Sequence, residues 1–556
     1  MRKHSIAVEN ARITRITRIT RCASIVAALG VASIASAGLP PLEQLCSVEY
    51  AGPVNLDDVA TIVRTAPDGT IVIAGESTQS GSDRDIMVAK FTVGGALLWI
   101  RTWDSPSGGN DYTGGMAIAD DGSICVAGYF YGGTPSTTMV VVRYDADGDL
   151  LWATPYAIGN ASDWHNQFYS VAVDSIGDVY ACGSAGQWSG GGNAAIVKFD
   201  GVTGAYLWQS TFNGPANLHD QGNFVVVGSD DSVAMVGSVK MNASATGVGI
   251  WKLFSNGGTA WSSYFNYSAA TWSETAAAAA LGPDDKIVFA GWVTSPQGSE
   301  QPIVVRYHWQ GGQDTTTLLQ TSGQNRFNSV VVDDAGNTYV TGAISAVTGL
   351  DIITLKVHTS PGGMLWQRTF TEQIIAPDSG LSVDVDKYGR VVVAGSSWHL
   401  TQGQGGPQTV SGIRLLGYDP YDGASRFESF VTAPSGGWMA KACALPAGGV
   451  IVCGTTYPNL QMDAWFGAWA ESVDCDHNGV IDVIELMDGS LTDANEDGVP
   501  DECAAFGDLD GNGIVDGEDL GALLGSWGAC SGCPADLNGD GVVDGDDLGT
   551  LLGNWG

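Results

Sequence analysis

From Asp474 to the end of the chain, carboxylates recur at the alternate positions from which a loop can wrap a hard cation. The two most complete runs are DLDGNGIVDGED, starting at Asp508, and DLNGDGVVDGDD, starting at Asp536. A loop that presents oxygens at positions 1, 3, 5, 7, 9 and 12, with glycine at position 6 for the sharp turn, suits Ca2+, which prefers carboxylate and carbonyl oxygens. The first run offers Asp508, Asp510, Asn512, the Ile514 carbonyl, Asp516 and Asp519 around Gly513. The second offers Asp536, Asn538, Asp540, the Val542 carbonyl, Asp544 and Asp547 around Gly541. Upstream, DCDHNGVIDVIE supplies Asp474, Asp476, Asn478, the Val480 carbonyl, Asp482 and Glu485. DANEDGVPDEC supplies Asp493, Asn495, Asp497 and Asp501, but Ala504 takes the last ligand position, which predicts weaker binding there. These 83 residues hold 20 acids and no Lys or Arg, a density that repels itself unless cations neutralise it.

The elements that must hold these loops are short helices. Leu520, Leu523, Leu524 and Trp527 recur at i, i+3, i+4 and i+7, as do Leu548, Leu551, Leu552 and Trp555, so two amphipathic helices are expected to bury their apolar faces against each other. This duplicated loop and helix resembles the type I dockerin, a paired EF-hand module that docks onto cohesin domains in polysaccharide-degrading complexes. The resemblance implies a cohesin-like or cell-envelope protein partner and a setting of polysaccharide catabolism. The residues following loop position 9 are Gly517-Glu518 and Gly545-Asp546, in place of the usual hydroxyl or basic recognition pair. The upstream loops resemble thrombospondin type 3 repeats. Cys475 and Cys503 bracket them and are candidates for a disulfide, as are Cys530 and Cys533 between the last two loops.

Ahead of the tail, one pattern recurs eight times at intervals of fifty-odd residues: a turn with Asp or Gly, an apolar strand and a closing Gly. The closing residues are Gly75, Gly128, Gly183, Gly237, Gly291, Gly342, Gly395 and Gly454. Each copy follows an alternating apolar run, and a third strand and a Trp-bearing fourth strand come after it, with Trp99, Trp152, Trp208 and Trp366 in matching places. Four strands per repeat make a β-propeller blade. The last copy lacks a fourth strand, whereas residues 42 to 54 read as a strand with nothing before it, so the N-terminal strand is expected to complete an eighth, split blade. Cys46 would then share a blade with Cys443 and Cys453, which predicts either a disulfide locking the closure or buried thiols; the pairing of Cys125 and Cys182 is open.

The repeat resembles the bacterial SBBP-type propellers and, more distantly, the eight-bladed quinoprotein dehydrogenases. FDGVTGAYLWQSTF is similar to the quinoprotein docking motif, but no Cys-Cys pair follows to cover a PQQ cofactor. No nucleophile elbow, HExxH motif or phosphate loop is present. His165 and His219 fall in loops between blades, where a site at the channel mouth could form.

The bulk numbers agree. With 44% hydrophobic residues and 77 glycines in 556, the chain reads as all-β. Sixty acids against 24 bases give a formal charge of −36, which repels nucleic acid. Arg12, Arg15, Arg18 and Arg21, an apolar run and Ala35-Ser36-Ala37 read as a secretory signal over 1–37. Removing its six bases and one acid leaves 18 against 59, a charge of −41. The expected organisation is a signal at 1–37, an eight-repeat propeller at 38–472, thrombospondin-like calcium repeats at 473–505 and paired EF-hand loops at 506–556. The expected function is that of a secreted or cell-surface calcium-binding scaffold that docks a partner and does no catalysis. The alternatives are a dockerin-bearing enzyme acting on a glycan and a quinoprotein-like enzyme.

Overall fold

The structure is a computed structural model that describes residues 18–20, 42–54, 56–79, 83–132, 137–159, 165–186, 191–267, 271–319, 321, 323–347, 349–358, 363–372, 376–403, 406–433, 437–457, 461–471, 473, 480–493, 500, 507–509, 515–530, 533–538, 541–553 and 555. It is an eight-bladed β-propeller followed by a short helical part. Seven blades are four-stranded antiparallel meanders in chain order; the first, for example, runs Asp58–Thr65, Ile71–Thr78, Arg84–Phe91, Leu97–Trp103. First strands of successive blades contact one another, so they form the inner wall and the fourth strands the rim. The eighth blade takes Trp438–Ala444, Val450–Thr456 and Asp463–Glu471 from the end of the repeat region and Leu42–Tyr50 from its start, as the strand count predicted. This closure removes two exposed sheet edges. Arg18–Thr20, within the stretch read as a signal, pairs with the outer edge of Leu42–Tyr50; the other residues of that stretch lie outside the described ones.

The closing glycine has a steric origin. In every blade the inner strand carries a bulge opposite this residue, which drives a backbone carbonyl against its α-carbon. A Cβ on Gly183 would lie 1.7 Å from the Gln167 oxygen, and one on Gly75 would lie 1.8 Å from that of Val59. No side chain fits there.

A second repeated device ties blade to blade. The Trp of each outer strand lies opposite a buried Lys or Arg of the third strand: Lys90 faces Trp99, Arg143 Trp152, Lys198 Trp208, Lys252 Trp261 and Lys356 Trp366. Each indole N–H donates to a turn carbonyl of the next blade, Trp152 to Gly201 at 2.9 Å and Trp208 to Ser255 at 2.8 Å. The ring packs on a glycine held at positive φ, Gly204 and Gly257 respectively. Trp261 donates in the same way to the Trp309 carbonyl at 2.9 Å and adds a blade to the four expected. Blades five and seven carry Thr315 and Phe427 at this register. The cations reach down to the Asp of the first turn: Lys90 Nζ is 2.8 Å from Asp68, and Lys198 Nζ is 3.1 and 3.0 Å from Asp174 and Asp178. The Asp in the turn motif is therefore an internal counter-ion, and the Trp series is structural.

Helix α1 (Asp482–Asp488) packs Ile481, Val483, Ile484 and Met487 onto the core shared by the eighth and first blades. Helices α2 (Gly517–Gly525) and α3 (Gly545–Gly553) form a separate small core with Val515, Leu523, Val543 and Leu551 buried.

Candidate metal centre and binding surfaces

In the tail, the same backbone pattern is built twice. Asp516 caps α2 by accepting from the Glu518 N–H at 2.8 Å, and Asp544 accepts from that of Asp546 at 2.9 Å. The carboxylates at loop position 12 turn back into their loops and are fully buried. Asp519 accepts from the Leu509 and Asp516 N–H groups at 2.6 and 2.7 Å, and Asp547 from those of Asn538 and Asp544 at 3.1 and 2.8 Å. These donors, that of Asp544 first, hold the Asp547 carboxyl below its usual range. In the second loop Gly541 sits at φ +89° and donates to Asp536 at 2.8 Å, so position 6 turns as its glycine predicts. The structure thus folds position 12 of each loop back onto position 9 and onto the loop's first residues.

Asp510, Asn512, Ile514 and Asp540 lie outside the described residues, as do Asp474, Asp476, Asn478, Asn495, Asp497, Asp501, Cys475 and Cys503. Val480, Asp482 and Glu485 lie at the start of α1, the two acids buried. Asp493 accepts from the Tyr388 hydroxyl at 2.7 Å and lies 3.7 Å from Lys387 Nζ, which ties the tail to the seventh blade. The donor set, acidic side chains with no cationic side chain in the tail, fits a hard divalent ion.

Two expectations need correction. Leu520, Leu523, Leu548 and Leu551 do face the small core, but Leu524, Trp527, Leu552 and Trp555 are 52%, 50%, 52% and 46% exposed. The apolar stripe on each helix is wider than the core can cover, and its second half faces water twice over. Cys46, Cys443 and Cys453 are buried thiols, so of the two readings at the closure the disulfide is not formed; burial pushes Cys453 up to about 12. Cys125 and Cys182 are buried thiols as well, and Cys530 and Cys533 are bonded to each other.

His165 and His219, far apart in sequence, come together with ring centroids 5.9 Å apart, and burial lowers the pKa of both. No sequence signal marked another ring of polar residues. At one register of the inner strands stand Asp58, Asp111, Asn166, Asp220, Glu274, Asn325 and Asp378, each 0 or 1% exposed. They hold the loop arriving from the previous blade or an adjacent loop of their own: Asp58 accepts from Gly52, Asp111 from the Ser105 N–H at 2.8 Å, Asp220 from Gly214 at 2.6 Å and Glu274 from Tyr267 at 3.1 Å. Burial pushes Asp58 up to about 6 and Glu274 up to about 7. The side-chain type changes from blade to blade, so no motif emerges; only the position relative to the closing glycine would have found them.

Three segments, 66–97, 119–150 and 282–316, match a family model described as a domain of unknown function (DUF5122) beta-propeller. They cover the second and third strands of the first, second and fifth blades. No curated protein matches the chain. Similar solved structures include the Dos1 propeller, 11% identical over 77% of this chain and 95% of that one, with a TM-score of 0.47. Sqt1 from Chaetomium thermophilum is 10% identical over 78% and 100%, at 0.45, and a europium-containing methanol dehydrogenase is 9% identical over 79% and 92%, at 0.42. The chain is a β-propeller repeat protein. Among the described residues no helix is long and apolar enough to cross a membrane.

Proposed function

We propose that this chain is an exported, non-catalytic propeller scaffold, and that its tail, loaded with calcium, docks a partner protein in the manner of a dockerin. The observation that carries this reading is the duplicated loop and helix, in which Asp519 and Asp547 occupy the same buried place and Leu524-Trp527 and Leu552-Trp555 emerge on the same side of their helices. A module that repeats both its cation loop and its exposed apolar pair presents a surface with two equivalent faces. Calcium holds the loops in shape by offsetting carboxylate repulsion and does no chemistry; extracellular modules of this kind bind at about 10⁻⁴ to 10⁻³ M. The upstream loops, through α1, tie the propeller to the docking module.

The test is binding of the full chain to a cohesin module in 1 mM calcium and in chelator. The reading predicts calcium-dependent binding that falls at least tenfold in Trp527→Ala/Trp555→Ala. Binding that ignores both calcium and the tryptophans would sink it. One observation favours the alternative of a carbohydrate-active enzyme carried by the same tail. Tyr112 stacks on Tyr129 at 5.1 Å and meets Tyr131 edge-on, beside a cavity lined by Asp57, Arg84, Asn110 and Tyr112. That reading requires release of new reducing ends from a polysaccharide, and none is expected here.

A further inference from the structure

Asp83, Asp85 and Asp104 bring carboxylate oxygens to within 4.8 Å of one another at the loop end of the first blade. Asp85 is 6% exposed, and among the described residues it accepts no hydrogen bond and meets no cation. The adjacent Arg84 points to Asp57 at 3.0 Å. An independent group stands beside the cluster. Asp111, fully buried at the start of the second blade, spends one oxygen on the N–H of Ser105, the neighbour of Asp104, while its other oxygen is buried with no partner. Carboxylates gathered this closely repel strongly in a water-poor site.

The sixth blade supplies the control. Asp351 stands at the register of Asp85, two residues before the partner of the closing glycine. The residue after the outer strand, Asp104 in the first blade, is there Thr371, whose hydroxyl donates to Asp351 at 2.6 Å. The same buried aspartate is therefore satisfied by a hydroxyl in one blade and confronted by a carboxylate in the other. Replacing a donor with an acceptor makes sense if a cation sits between them.

We infer that Asp83, Asp85 and Asp104, with the buried Asp111 behind them, form a divalent-cation site in the propeller itself, separate from the tail, that takes Ca2+. The three ligands are hard oxygens with no His or Cys among them, which selects calcium over zinc or copper. Bound there, the ion would clamp the link between the first and second blades, because Asp104 and Asp111 flank that link.

The test counts calcium on the full chain by metal analysis after equilibrium dialysis, in wild type, in Asp104→Thr, which copies the sixth blade, and in Asp83→Asn at the more accessible ligand. The tail contributes equally to all three, so a difference reports this site alone. One calcium fewer per chain in Asp104→Thr, and at least tenfold weaker binding of one ion in Asp83→Asn, are expected. Asp104→Thr should also raise the propeller's melting temperature in chelator. An unchanged calcium count in both variants would overturn the inference, whatever the tail does; if Asp104→Thr fails to fold, Asp83→Asn alone decides.

Discussion

The propeller and the tail handle charge in opposite ways. In the propeller every buried Lys or Arg among the described residues finds a partner within the body, as Lys198 does between Asp174 and Asp178, and the ring is closed by its own strands. The tail's 83 residues hold 20 acids and no Lys or Arg, and the position-12 carboxylates Asp519 and Asp547 accept from backbone N–H groups. Apart from the first-blade carboxylates, the body balances its own buried charge, whereas the proposed reading has the tail completed from solution. On the proposed reading, the body stays rigid while the calcium level sets whether the docking end is formed.

The sharpest way to break this contrast is to remove one internal counter-ion. Lys198→Met leaves Asp174, 6% exposed, without its partner in the core and should cost about 3–5 kcal/mol of propeller stability, read as a shift of the main unfolding transition in urea. The tail's calcium affinity should not change. Removing calcium should do the reverse. With free calcium at a hundred times Kd, a site stabilises its module by about 2.7 kcal/mol, so chelation should unfold the tail while the body stays folded, its transition shifting only by what the first-blade site contributes.

The two regions should also answer pH with opposite signs. Asp58 and Glu274 are raised to about 6 and about 7, so the folded body holds their protons more tightly than the unfolded chain does. Their contribution is full below about pH 4 and is lost as pH rises through 6 to 7, at up to about 1.4 kcal/mol per pH unit for each group. Asp547 is lowered, so its contribution is present at neutral pH and is lost on acidification, together with any bound calcium. Thermal unfolding followed between pH 4 and 8 in chelator and in calcium would separate the two trends. The smallest effect is expected from Trp527→Ala: this side chain is half exposed, so the tail's stability should change by no more than about 0.5 kcal/mol while partner binding falls.

Much of the architecture was legible because it repeats. The closing glycine marks a place where no Cβ fits, so it recurs at Gly75 through Gly454, and the unmatched strand at 42–50 announced the split blade. Trp261 escaped because its strand, TAWSSYF, lacks the Leu that precedes the other four tryptophans. The carboxylate ring escaped because Asp, Asn and Glu interchange at a position fixed only by the three-dimensional register. Asp83, Asp85 and Asp104 escaped because a whole strand and turn separate the first two from the third. In the tail, ligand spacing exposed the loops, but periodicity alone could not say which half of each apolar stripe meets the core. That depends on how much partner surface a helix finds, and two nine-residue helices find little.

Hydrogen exchange on the full chain, in 1 mM calcium and then in chelator, tests the central claim most directly. The account predicts that amides of 515–525 and 541–553 lose protection when calcium is removed, while the inner-blade strands Val179–Gly186 and Val233–Lys240 keep theirs. Equal protection of the tail in both conditions would show that its loops stand without calcium and would contradict the account.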